Sequence, residues 1–268
     1  MQTPKFNRRR KPVSASGSGE WIYGINPVLE ALKARRDIKA LFISAGRHEK
    51  VGEIRKEAEK GGIPVESAEA GFFDKNFPKG HQGVAARVLQ KAYAMLDDIL
   101  AMPSERNEKA LFVALDGIED PRNFGAILRS ADASGVHGVI IQSYRSAGIG
   151  PEASKASAGA MEYVPVSVVP NIKYAVQRMR EEGITVVGTD ALAPIPLWET
   201  DLTVPLCVVI GSEGRGMRKI LREYCDVLVK IPMTGEIGSL NVSVATGILL
   251  FEVMRQRFTQ KKNYQEVL

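Results

Sequence analysis

Cysteine and histidine are scarce in this chain of 268 residues, which has two of the first, Cys207 and Cys225, and three of the second, His48, His81 and His137. Two cysteines cannot build a disulfide framework or a four-ligand zinc site, so the composition reads as that of a protein from a reducing compartment and argues against secretion. None of the histidines stands beside a Cys, Asp or Glu at metal-ligand spacing. Neither thiol nor any serine has a triad partner in the sequence, which leaves a nucleophilic hydrolase without support. Long apolar runs are missing as well. The nearest, residues 204–210 and 248–251, fall far short of the roughly 18 residues of a membrane span.

Acids are absent from the first twelve residues, where Lys5, Arg8, Arg9, Arg10 and Lys11 supply five positive charges. The 36 Lys and Arg less these five leave 31, which equals the 31 Asp and Glu, so the net charge of +5 belongs to the tail and the body is neutral. Residues 1–20, with Ser14-Ala15-Ser16-Gly17-Ser18-Gly19 after the basic run, read as a disordered arm. It suits contact with phosphates without sequence selectivity, or a solubilising terminus. A transit peptide is disfavoured by the lack of an amphipathic apolar face.

What remains is ordinary globular composition, 44% hydrophobic and 25% charged, with length for about two domains at roughly 150 residues each. Ordered sequence is expected from Trp21. Asn26-Pro27 followed by Val28, Leu29, Ala31 and Leu32 gives an N-cap, a proline at the first helical position and an apolar stripe. A strand over 40–44, a charged helix over 50–60 and strands over 63–66 and 83–88 complete a small α/β unit. From 90 to 109 the chain is mixed and holds Pro103-Ser104, the mark of an inter-domain connection.

The second half alternates more regularly. Strands are predicted over 111–115, 139–142, 164–169, 185–188, 206–210 and 227–231. Phe124, Ile127, Leu128 and Ala131 recur at helical spacing before Gly135, and Asn171 caps a helix with Ile172, Ala175, Val176 and Met179 on one face. Strands separated by helices imply a mainly parallel sheet covered on both sides, with its ligand site at the carboxyl ends of the strands. A last helix over 240–257 is apolar nearly all round and must be buried by something.

Three loops after predicted strands gather Gly, Asn, Ser and Glu: residues 116–129 with their helix, 211–216 and 232–241. Glycines admit a ligand close to the backbone, and free amides at a helix start bind acceptor atoms. The glycines of 211–216 match neither the dinucleotide fingerprint nor a P-loop. Five polar residues point to this edge, each with a plainer role open to it. Asn123 suits a helix cap. Arg129, about 1.7 turns further along, is a surface residue or the partner of a buried carboxylate or phosphate. Glu213 suits a solvated turn, Ser239 a cap of the last helix, and Asn241 a partner for its first-turn backbone.

Taken together, Asp120-Pro121-Arg122-Asn123-Phe124-Gly125-Ala126-Ile127-Leu128-Arg129, Gly211-Ser212-Glu213-Gly214-Arg215-Gly216, Ile231-Pro232-Met233 and Ser239-Leu240-Asn241-Val242-Ser243 resemble the three motifs of the SpoU (TrmH) group of SPOUT methyltransferases. Lys155-Ala156-Ser157-Ala158-Gly159-Ala160 looks like the group's intervening segment. Tyr23-Gly24-Ile25-Asn26-Pro27 and His81-Gln82-Gly83-Val84-Ala85-Ala86 are similar to the L30e-like RNA-binding domain of the rRNA (guanosine-2'-O)-methyltransferases within that group.

The resemblance implies an α/β fold in which residues 21–90 form an L30e-like domain, 91–108 a linker, 109–258 a trefoil-knotted methyltransferase domain and 259–268 a tail. It implies transfer of a methyl group from S-adenosyl-L-methionine to a ribose 2'-hydroxyl of structured RNA, 23S rRNA before tRNA, by a cytoplasmic homodimer that needs no metal and no membrane. A non-catalytic RNA-binding protein with a knotted dimer module is the rival reading. Gly211, Ile231, Met233 and Leu240 match cofactor-binding positions, and Asn123, Arg129, Glu213, Ser239 and Asn241 match polar active-site positions. A guanidinium is a poor base at neutral pH, so Arg129 is expected to clamp an RNA phosphate and steady the developing alkoxide. The proton acceptor is then a phosphate oxygen, Glu213 or water.

The tail has a consequence of its own. Its removal deletes five positive charges and is expected to weaken RNA binding and to flatten the fall of affinity with salt. Filter binding across a salt series measures this, and an unchanged slope leaves the tail without an electrostatic role.

Overall fold

A computed structural model describes residues 19–44 and 49–266; the basic tail and His48 lie outside the described residues. The chain runs β1 (Glu20–Tyr23), α1 (Ile25–Lys33), β2 (Ile38–Ser44), α2 (Glu49–Lys60), β3 (Val65–Ala68), α3 (Ala70–Asn76) and β4 (Val84–Val88). These strands form a sheet in the order β1-β4-β2-β3, antiparallel except for β2 beside β3. Alternation sends Ile22, Leu41, Ile43, Val84, Ala86 and Val88 to one face, under Val28, Leu29 and Ile54 of the helices. Tyr23, Phe42 and Ala85 go to the other, where Phe73 and Phe77 cover them. Trp21 joins that aromatic layer, with ring centroids 5.4 Å from both Phe42 and Phe77.

Two features of this half differ from expectation. The α1 cap is Gly24 at φ 97, not Asn26. The left-handed turn lets its amide donate to the Val84 carbonyl at 2.8 Å, a pairing that sets the helix start two residues early. The segment expected as a linker holds helix α4 (Leu96–Arg106), with Pro103 inside it and Asn107 left-handed at its end. Leu96, Ile99 and Leu100 pack on the second sheet, and this burial outweighs the local cost of Pro103, which falls in the final turn.

Then follow β5 (Leu111–Asp116), α5 (Pro121–Ala133), β6 (Gly138–Gln142), α6 (Pro151–Ala156), β7 (Val166–Val169), α7 (Ile172–Glu181), β8 (Thr185–Thr189), β9 (Ile195–Pro196), β10 (Leu206–Gly211), α8 (Lys219–Arg222), β11 (Val227–Lys230) and α9 (Val242–Glu266). The seven strands are ordered β7-β6-β5-β10-β8-β11-β9 and every neighbouring pair is parallel. Residues 111, 113 and 115 meet α5 and α9 on one face, while 112 and 114 meet α4, α7 and α8 on the other. Asn171 caps α7 by accepting from the Lys173 amide at 3.0 Å, above the buried stripe Ile172, Ala175, Val176 and Met179. Helix α9 passes the expected end at 257 and takes in most of the segment expected as a tail, because no Gly or Pro follows Gly247 to stop it.

The two halves are joined by side chains. The Arg36 guanidinium lies 2.8 Å from Glu162 and 2.6 Å from Glu20, with Arg36 and Glu162 side chains 7% and 3% exposed. Tyr163 donates to Glu30 at 2.7 Å, and burial pushes its phenol up to about 12. Lys155 donates to the Gly80 carbonyl at 2.5 Å and the Gln82 amide oxygen at 3.3 Å. Removing one member of a buried ion network costs about 3–5 kcal/mol. Arg36→Ala is therefore expected to lower the urea midpoint clearly, with Arg36→Lys in between because a single ammonium cannot bridge both carboxylates. Denaturation curves for the three proteins test this, and a midpoint unchanged in Arg36→Ala refutes it.

Candidate active site

Strand order reverses between β5 and β10: the chain walks outward from β5 through β6 to β7, then returns to the other side for β8 and β10. Loops leaving the carboxyl ends diverge at such a point and leave a crevice. Here the crevice is a cavity of about 540 Å³ lined by residues that include Asp116, Asn123, Gln142, Tyr144, Arg145, Asn171, Glu213, Arg215 and Arg218.

Asp120 caps α5 by accepting from the Arg122 amide at 2.8 Å, and the Arg122 side chain holds its carboxyl below the usual carboxylate range. That frees Asn123 from capping. Its amide nitrogen donates to Glu213 Oε2 at 3.2 Å, and its oxygen accepts from Asn241 Nδ2 at 3.0 Å. Asn241 in turn caps α9, its Oδ1 accepting from the Ser243 amide at 2.9 Å and hydroxyl at 2.6 Å. A single chain of hydrogen bonds thus ties together the loops after β5, β10 and β11.

The other expected residues stand apart from this chain. Ser239 is exposed in the 232–241 loop, and the cap it was a candidate for is Asn241. Arg129 is exposed on α5 and makes no ion pair with the described residues, so the buried carboxylate considered for it is not there. Gly211 ends β10 in register with Asp116. Ile231 packs partly on the core, and Met233 and Leu240 are each 38% exposed. None of these four lines the cavity.

Sequence reasoning missed the polar floor. Asp116, 2% exposed, takes the Arg218 Nε at 2.7 Å and the Arg218 amide at 3.0 Å, and Arg218 also donates to Gln142 at 2.9 Å. Past β8, Asp190 pairs with Arg222 at 2.7 Å. The available signal was Asp116 closing the otherwise apolar strand β5, and Asp190 directly after β8. Burial pushes both cysteine thiols up, Cys225 to about 12, so neither is a thiolate at neutral pH.

Residues 110–251 match the model of the SpoU rRNA Methylase family. The chain belongs to that family. Residues 21–94 match the model described as RNA 2'-O ribose methyltransferase substrate binding. Among relatives, a TrmH family tRNA/rRNA methyltransferase of Bacillus subtilis is 42% identical over 89% of this chain and 96% of its own length. The 23S rRNA (guanosine-2'-O-)-methyltransferase RlmB of Yersinia pestis is 42% identical over 89% and 98%. The SpoU methyltransferase AviRb of Streptomyces viridochromogenes, solved in complex with AdoMet, superposes with a TM-score of 0.75 at 28% identity, over 90% of this chain and 92% of that one. This SpoU-family chain therefore has the SPOUT methyltransferase fold and the S-adenosyl-L-methionine chemistry of its family.

Gly211 sits in the tightest backbone of the site. A Cβ there would overlap the Gly216 carbonyl carbon and the Met217 nitrogen and lie 2.7 Å from the Gly216 oxygen. The loop closes on itself through the Ser212–Gly216 bridge, so backbone would have to move. Gly211→Ala is expected to lower the melting temperature by several degrees, which calorimetry measures; an unchanged melting temperature would show that the loop yields freely.

Proposed function

We propose that this chain transfers a methyl group from S-adenosyl-L-methionine to the ribose 2'-hydroxyl of a guanosine in 23S rRNA. The observation that carries the reading is the Glu213–Asn123–Asn241 chain, which joins residues of all three motifs at one sheet edge. RlmB relatives at about this identity over most of the chain support the substrate. Residues 21–94 supply the RNA-binding half, for which we adopt the L30e-like description, and the basic tail adds phosphate contacts.

Gly211, Ile231, Met233 and Leu240 are assigned to hold the cofactor. They fit it. Met233 and Leu240 leave apolar side chains in reach of solvent beside the loops, and the 212–216 loop folds tightly, with Gly214 and Gly216 at positive φ, so that its backbone stays near the surface. When bound, the cofactor supplies a methyl group already activated on a sulfonium, and no metal is called for.

The protein's own task is to align the 2'-oxygen and help a weakly acidic hydroxyl lose its proton. Asn123 and Asn241 hold the ribose and the loops around it, and Ser239, exposed on the 232–241 loop, is open to the RNA. Arg129, exposed and without an ion-pair partner among the described residues, clamps an RNA phosphate and steadies the alkoxide. Glu213, a phosphate oxygen or water takes the proton.

The family's trefoil knot and homodimer complete the reading. The packing of α9 against α5 and β10 supports a C-terminal segment passed between other elements. Val244, Phe251 and Phe258, at 50%, 50% and 61% exposure, recur every seven residues along α9 and offer a stripe to a second copy. A cytoplasmic location is the reading that an rRNA substrate supports.

Arg129→Ala and Arg129→Lys are expected to bind S-adenosyl-L-methionine normally and to methylate more slowly, alanine by about a hundredfold or more and lysine less. Single-turnover methylation at saturating 23S rRNA separates chemistry from capture, and near wild-type turnover in Arg129→Ala would sink the role.

A further inference from the structure

The loop after β6 puts Tyr144 and Arg145 on the rim of the cavity that Asn123 and Glu213 also line. Tyr144 is 68% exposed. The Arg145 guanidinium carbon lies 5.2 Å from its ring centroid, and Arg145 holds φ 53, a left-handed backbone uncommon for a residue with a side chain. Folding gains little from a tyrosine ring left in water, and a guanidinium against one face steadies the ring and leaves the other face open. The rest of the cavity is polar and carries charge of both signs: Arg215 and Arg218 on the β10 side, Asp116 and Gln142 held by Arg218, and the carboxylates of Glu119, Asp120 and Glu213. An unstacked RNA base needs these things together, a π surface or guanidinium plane for its face and donors and acceptors for its edge.

We propose that this cavity takes the base of the nucleotide to be methylated, and that Tyr144, backed by Arg145, is the platform on which that base stacks. The inference rests on the reading of this site as an RNA ribose methyltransferase and says where the base goes when the ribose lies against Asn123. The volume of about 540 Å³ falls in the range of sites that enclose small organic ligands, large enough for a purine. None of the four residues assigned to the cofactor lines this cavity, which leaves its walls to the base.

Steady-state methylation of 23S rRNA by Tyr144→Ala, Tyr144→Phe and Tyr144→Trp, with calorimetry of S-adenosyl-L-methionine binding, tests the proposal. Stacking holds ground state and transition state alike, so Tyr144→Ala is expected to raise KM for RNA by about tenfold to a hundredfold with kcat little changed. Phe and Trp variants keep KM within about threefold, and all three bind the cofactor as wild type does. In Tyr144→Trp the added indole, read as the difference from wild type with its two native tryptophans, is quenched when 23S rRNA binds.

An unchanged KM in Tyr144→Ala, a loss in Tyr144→Phe equal to that in alanine, weakened cofactor binding, or an unquenched indole each overturn the platform. The fluorescence reading needs no turnover. A protein that failed to methylate 23S rRNA while its indole was still quenched by it would keep the stacking site and remove the proposed reaction.

Discussion

Parallel strands cannot be joined by tight turns, so each must be followed by a crossover that leaves from the same edge of the sheet. In this chain that constraint brings segments far apart in sequence, 116–123, 142–145, 212–218 and 231–241, to one edge. The position of β10 between β5 and β8 decides which of them meet. Glu213 reaches Asn123 only because β10 lies in register beside β5, Gly211 opposite Asp116. The helices and hydrophobic faces serve to hold that pairing, and the polar site is built on it.

Much of this was legible in the sequence because periodicity reports burial directly. The face Ile172, Ala175, Val176 and Met179, and the stripe Phe124, Ile127, Leu128 and Ala131, are buried as their spacing demands. Where reading failed, a long-range contact had outvoted a local signal. Pro103 marks a break in isolation, but Ile99 buried against the sheet keeps the helix. Asn26-Pro27 looks like a cap, but the bond from Gly24 to Val84 places the start elsewhere. The candidate residues were found because they lie in motifs. The Asp116–Arg218–Gln142 floor was not, because a salt bridge 102 positions apart in the chain leaves no local trace.

The segments that marked the two halves as parts of one family also touch. Lys155, in the segment between the first two motifs, bonds to Gln82 within the His81-to-Ala86 segment and to Gly80 directly before it. The RNA-binding half is therefore fixed by the same stretch that packs α6 on α5, where Gly125 leaves room for Ala153 and Ala156. Orientation between substrate capture and chemistry is set by short polar contacts on a rigid helix pair, and a long connecting chain has little part in it.

Asn241 gives one side chain two duties. Its oxygen closes the first turn of α9, and its nitrogen reaches Asn123. An aspartate would cap as well but has no hydrogen to give. A serine would cap and is too short to reach, and a glutamine donates but caps poorly. Only asparagine satisfies both geometries from this position. Among the described residues, the start of the longest helix and the Asn123–Glu213 pair are therefore one mechanical unit: whatever shifts α9 along its axis draws the Asn241 amide, and Asn123 bonded to it, along with it.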